Sequence, residues 1–114
     1  MKISELARRT GLSAHTIRYY ERIGLMPPAE RDGSGHRAYD ERILVWLEFV
    51  GHLKTTGMPI REMLEYAQLR MAGAATEGRR KAMLTTHRQT VRQRMRILPE
   101  CLDVLDAKIA GYGD

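Results

Sequence analysis

The stretch from Ser13 to Tyr19 carries side chains suited to gripping a phosphate backbone or the edges of bases. Arg18 can bind a phosphate or donate two hydrogen bonds to guanine, and the hydroxyls of Thr16 and Tyr19 suit phosphates. The 114-residue chain has a formal net charge of +5, which favours a polyanionic partner. We therefore predict nucleic-acid contacts from Ser13, His15, Thr16, Arg18, Tyr19, Arg37, Tyr39 and Lys54.

The element that must position these side chains is a helix-turn-helix over about residues 3–24. Ile3, Leu6 and Ala7 give a first helix its apolar stripe, with Ser4 able to cap its start. Gly11 suits the left-handed end of that helix. Ser13 can cap the second helix, whose inner face includes Ile17 and Tyr20. This is the arrangement in which the second helix enters the major groove.

A short β-hairpin is predicted after it, over about residues 29–39. Its centre is the glycine-rich turn at residues 32–35, and a hairpin directly after a helix-turn-helix is a wing. Arg37 on the wing suits a backbone or minor-groove contact, whereas Tyr39 suits packing and phosphate binding equally. Two more helices follow, with Asp40 capping one and Pro59 in the first turn of the other. Their predicted inner faces are Ile43, Trp46, Leu47, Val50 and Leu53, then Ile60, Met63, Leu64, Ala67 and Met71. We expect a winged DNA-binding domain over residues 1–73.

The last segment, residues 76–112, has the two-position apolar seam of a coiled coil. Two series with a seven-residue period are displaced by four, with Arg88 at one seam position. So narrow a stripe favours pairing with a second copy, although folding back on the N-terminal domain is the alternative. Pro99 inside this helix should kink it, at a cost of about 3 kcal/mol. The predicted dimerisation residues are Leu84, Val91, Met95, Leu98, Leu102, Leu105, Ile109 and Tyr112.

Three short motifs resemble the signature of the MerR family of transcription regulators. They are residues 16–21 (TIRYYE), 23–25 (IGL) and 35–39 (GHRAY), and the block from Leu53 to Met58 also matches. The resemblance covers the whole chain. It implies a mainly α winged helix-turn-helix with a long C-terminal helix, and a homodimer joined by an antiparallel coiled coil on a pseudo-palindromic promoter operator. It further implies activation by bending and untwisting an overlong promoter spacer so that RNA polymerase can engage it.

Within that family the last helix resembles the short, aldehyde- and electrophile-responsive branch. The sensor proposed for that branch is a cysteine just before a Leu-Lys pair in the third helix, and His52 stands there in this chain. The single cysteine, Cys101, lies beside the seam, where it is either a small packed residue or an electrophile sensor. The effector stays unknown.

Other function classes find little support in the residues. One cysteine and four dispersed histidines do not make a metal site, and no cofactor or catalytic motif is present. The lack of a long apolar run argues against a membrane, and a lone cysteine favours the cytoplasm. The alternatives are an architectural DNA-bending protein of the excisionase type and a coiled-coil adaptor. Only the adaptor would lack salt-sensitive binding to DNA.

Overall fold

The computed structural model describes residues 1–113, and they form five α-helices, one 3-10 turn and a two-stranded antiparallel hairpin. The order is α1 (Ile3–Thr10), α2 (Ala14–Ile23), β1 (Glu30–Arg31), β2 (Arg37–Ala38), α3 (Glu41–Thr55), α4 (Ile60–Met71), a 3-10 turn (Ala74–Thr76) and α5 (Glu77–Ala110). The described chain divides into two compact units, one over Met1–Arg80 and the other from Lys81 onward. The expected mainly helical, winged architecture is confirmed.

Short-range signals set the boundaries of the helix-turn-helix. Gly11 ends α1 with a φ of 75°, and its N–H donates to the Ala7 carbonyl. Ser13 caps α2 by accepting a hydrogen bond from the Thr16 N–H, as predicted. The prediction for Ser4 was wrong: α1 begins after Lys2 and has no side-chain cap, so Ser4 lies inside its first turn.

The core of the first unit forms around α1, which packs against both α2 and α3. Ile17 and Leu25 are fully buried, and Val50 is nearly so. Trp46 on α3 donates its indole N–H to the Leu25 carbonyl over 2.8 Å. The same ring stacks on Tyr66 of α4, with centroids 6.0 Å apart. The hydrogen bond from Trp46 joins the end of the helix-turn-helix to α3, and the stacked rings join α3 to α4.

The inner faces of α3 and α4 differ from expectation at single positions. Asp40 caps α3 as predicted, by accepting from the Arg42 and Ile43 N–H groups. Leu44 is buried while Ile43 is half-buried. On α4, Tyr66 is buried, whereas Ile60 and Met71 at the two ends are exposed because the other helices cover only its middle. Pro59 precedes α4 as its N-cap and so lies just before the first turn.

The helix α5 runs without interruption over its 34 residues, including Pro99. Five of the predicted seam residues on it are between 56% and 68% exposed, and Tyr112 just after its end is 80% exposed. The five are Met95, Leu98, Leu102, Leu105 and Ile109. Leu84 and Val91, nearer its start, are half-buried. Ile97 and Val104, seven residues apart and outside the seam, are also exposed, which widens the apolar face in the second half of the helix. The described residues contain no helix long and apolar enough to cross a bilayer.

Candidate nucleic-acid interface

The outward face of α2 is polar and available. His15, Arg18 and Tyr19 are exposed, while Ile17 and Tyr20 point into the core. Within residues 1–113, Arg18 makes no hydrogen bond or ion pair, so its guanidinium has all its donors available. The Arg22 guanidinium lies 5.4 Å from the centre of the Tyr19 ring. A cation and a phenol are therefore held side by side at the outer edge of this helix.

At the start of α2 two hydroxyl groups are already joined. Ser13 Oγ accepts from the Thr16 N–H and donates to Thr16 Oγ1, each over 3.0 Å. The Thr16 hydroxyl keeps its own proton for an outside acceptor. Within residues 1–113, one hydroxyl proton of this pair therefore stays unused at the start of α2.

The tip of the wing is ordered by one carboxylate. Asp32 Oδ1 accepts from the Ser34 and His36 N–H groups over 2.8 and 3.0 Å. These bonds hold the pKa of Asp32 below its ordinary value of 3.8, because they stabilise the charged form. Gly35 takes a φ of 80°, which a side chain would disfavour. Arg31 donates to the Gly35 carbonyl, so its guanidinium stabilises the turn.

Glu21, on the inner edge of α2, joins this helix to the wing. Its Oε1 accepts from the Ala29 N–H over 3.1 Å, just before β1. Its Oε2 accepts from the Tyr39 hydroxyl over 3.4 Å and lies 3.4 Å from Arg37 Nε. Sequence reasoning assigned Glu21 no role. The available signal was its position four residues after the buried Ile17, where a charge needs a partner.

Tyr39 belongs to the core. It is 3% exposed, and burial raises the pKa of its hydroxyl, with Glu21 adding to the effect. Its backbone N–H donates to the Met1 carbonyl, and the N-terminal ammonium of Met1 donates to the Tyr39 carbonyl. Its burial and its contact with Glu21 favour packing, one of the two roles expected for Tyr39, while a contact between Tyr39 and DNA stays a prediction.

Two further residues singled out from the sequence lie near the end of α3. Lys54 and His52 are both exposed near its end, and both line a cavity of about 280 Å³ with Leu12 and Tyr20 of the helix-turn-helix. Cys101, the other candidate sensor, is exposed on α5. Over residues 1–113, no three histidine, cysteine or acidic side chains are grouped closely enough to hold a metal ion.

Comparison with known proteins agrees with this geometry. Residues 1–69 match the model of MerR helix-turn-helix family regulatory proteins, and residues 44–108 match the MerR DNA-binding model. The regulator AdhR of Bacillus subtilis is 43% identical over 78% of this chain, which spans 64% of AdhR. An uncharacterised helix-turn-helix transcriptional regulator of Haemophilus influenzae is 31% identical over 96% of this chain and 81% of its own length.

Solved structures show the same fold. A MerR family transcriptional regulator from Listeria monocytogenes matches with a TM-score of 0.87 and 38% identity, covering 98% of this chain and 85% of that one. HiNmlR, a MerR family regulator lacking the sensor domain and crystallised on promoter DNA, matches with a TM-score of 0.89 and 31% identity. That match covers 97% of this chain and 88% of HiNmlR. The relatives are transcription regulators and not enzymes, and the chain belongs to the MerR family of helix-turn-helix regulatory proteins.

Proposed function

We propose that this chain binds a pseudo-palindromic promoter operator as a homodimer and activates transcription by distorting an overlong spacer. In each copy, α2 enters the major groove while the wing contacts the flanking backbone. The observation that supports this most directly is the outward face of α2, where Arg18 is exposed and makes no ion pair within residues 1–113. HiNmlR, which this chain resembles over 97% of its length, was crystallised on promoter DNA.

The proposed dimer rests on the apolar face of α5. Five large apolar side chains along α5, and Tyr112 just after it, are more than half exposed and follow the seam of a coiled coil. So continuous an exposed apolar surface is typical of a protein–protein contact. A second copy offers the same face and satisfies both seams at once.

The charges of α5 favour an antiparallel pair. Residues 77–96 carry seven arginines and lysines and one carboxylate, whereas residues 97–110 carry three carboxylates and one lysine. Parallel pairing would bring the two cationic halves together. Antiparallel pairing lays each cationic half along the partner's acidic half, which lowers repulsion and favours attraction across the seam.

Activation is tested on two matched promoters. Duplexes bound by the purified protein are first selected from a randomised pool and footprinted. The selected site is then placed in an overlong spacer and in a shortened one, and transcription is measured with purified RNA polymerase. We expect stimulation on the overlong template alone. Binding and bending without stimulation would instead identify an architectural protein, and absence of salt-sensitive binding would overturn both.

A further inference from the structure

The carboxylate of Glu21 contacts residues from both sides of the wing hairpin and so connects the wing to α2. Ala29 lies just before β1, and Arg37 and Tyr39 lie in and after β2, so the groups held by Glu21 come from both sides of the hairpin. The Glu21 side chain is only 15% exposed. A charged carboxylate buried to this degree destabilises the fold unless hydrogen-bond donors or a cation stay in contact with it.

The Arg37 guanidinium faces Glu21 with its Nε side only. Its Nε is buried against Glu21 Oε2 at 3.4 Å, without the geometry of a hydrogen bond. Within residues 1–113 its two terminal nitrogens have no hydrogen-bond partner, and the side chain as a whole is 37% exposed. A guanidinium whose Nε side faces a carboxylate as an ion pair keeps its terminal N–H groups for a phosphate. The other arginine of the hairpin, Arg31, is committed to the Gly35 carbonyl.

We propose that Glu21 is a positioning residue that aims the Arg37 guanidinium, and with it the wing, at the DNA backbone beside the groove entered by α2. The inference rests on the proposed operator binding and adds a role for a residue that does not itself touch DNA. By fixing the distance between helix and wing, Glu21 allows both contacts to form on one duplex without reordering the hairpin.

Whether loss of the Glu21 charge strengthens or weakens operator binding distinguishes a positioning role from simple repulsion of phosphates. Removing a carboxylate near DNA should strengthen binding, because it removes repulsion of phosphates. Loss of a positioning residue should weaken binding to the operator instead. Glu21→Gln suits this test, because its amide oxygen can still accept from the Ala29 N–H or the Tyr39 hydroxyl while the charge facing Arg37 is lost. Glu30→Gln is the matched control, an exposed glutamate on β1.

The experiment measures affinity for the duplex selected by the wild-type protein and for a scrambled duplex, across a range of salt concentrations. We expect Glu21→Gln to weaken operator binding about 5- to 10-fold and to lower the slope of log affinity against log salt by about one. Binding to the scrambled duplex should weaken as well, because a phosphate contact does not depend on the base sequence. Glu30→Gln should bind as well as wild type or slightly better. In an Arg37→Ala background, Glu21→Gln should add nothing further.

Each other outcome overturns the inference. Tighter operator binding by Glu21→Gln, or an effect that adds fully to that of Arg37→Ala, would give Glu21 an electrostatic or purely structural role. Should Glu21→Gln fail to fold, Arg37→Lys tests the same pair. It keeps the charge but lacks the Nε edge, so wild-type affinity would contradict positioning. Failure of the wild-type protein to select any duplex would be a failure of the proposed function instead.

Discussion

Ser13 and Thr16 hold each other through two hydrogen bonds that run in opposite directions. The Thr16 N–H donates to Ser13 Oγ, and the Ser13 hydroxyl donates to Thr16 Oγ1, both over 3.0 Å. The first bond satisfies a backbone donor that the helix itself leaves open. The second fixes the rotamer of Thr16 on the face proposed to meet DNA. One serine thus both starts α2 and orients a neighbouring hydroxyl.

Ser13→Ala should lower the free energy of unfolding by about 1 kcal/mol, the usual effect of losing an N-cap. Thermal and denaturant unfolding of the N-terminal unit measure it. The control is Ser34→Ala, because Ser34 at the wing tip uses only its backbone N–H. Equal stability of the Ser13 and Ser34 variants would show that the cap contributes nothing.

Arg18→Ala should weaken operator binding about 10- to 100-fold and leave folding and self-association unchanged. Arg18 is exposed and without an ion pair within residues 1–113, so its loss creates no unsatisfied group in the protein. Operator titration measures the effect. Arg61→Ala removes the same charge from an exposed site on α4. An Arg18 variant that binds no worse than this control would refute the assigned role.

Leu102→Asp should weaken self-association by on the order of 100-fold, because pairing would bury a carboxylate in the middle of the seam. Analytical ultracentrifugation of the variant measures the change. Gln93→Asp places the same group on the outward side of α5 and should leave the pair intact. A Leu102 variant that associates like wild type would mean that another surface joins the copies.

The antiparallel arrangement can be tested by exchanging charges. Laying Met95 against Leu105 of the partner subunit places Arg92 beside Asp106 of the partner subunit. Arg92→Asp should therefore weaken association, and adding Asp106→Arg should restore it. Two singly substituted proteins that associate only when mixed would support the same pairing. Additive weakening in the double variant would contradict it.

Lowering the pH should loosen the wing tip before the helices unfold. The pKa of Asp32 is depressed in the fold, so its stabilising effect is present above 3.8 and is lost as the pH falls through the lower, folded value. NMR shifts of the Ser34 and His36 amides report the transition, which Asp32→Asn should abolish. A midpoint at or above 3.8 would contradict the hydrogen bonds assigned to this carboxylate.

The elements with local signals could be predicted from the sequence. Gly11, Ser13 and Asp40 act through their immediate neighbours, and each ends or begins a helix where expected. Ser4 was misassigned because a serine near a helix start is a candidate cap at several positions, and only the backbone path selects one.

Contacts distant in sequence were not predictable in the same way. Glu21 and Arg37 are sixteen positions apart, and nothing in their spacing shows that the hairpin returns to α2. Tyr39 could equally have packed or faced DNA, because a phenol suits both environments until the fold determines which one it meets. On α5 the seven-residue period was plain, whereas Ile97 and Val104 lie outside the seam and were overlooked.

The position of Trp46 gives the molecule a built-in optical reporter. It is the one tryptophan of the sequence, 4% exposed, stacked on Tyr66 and covered by the Arg70 guanidinium 4.6 Å from its ring. Its emission should shift to longer wavelength when the N-terminal unit opens, since the indole then meets water. Fluorescence can therefore follow the opening of the N-terminal unit, while light scattering follows the association of copies in the same sample.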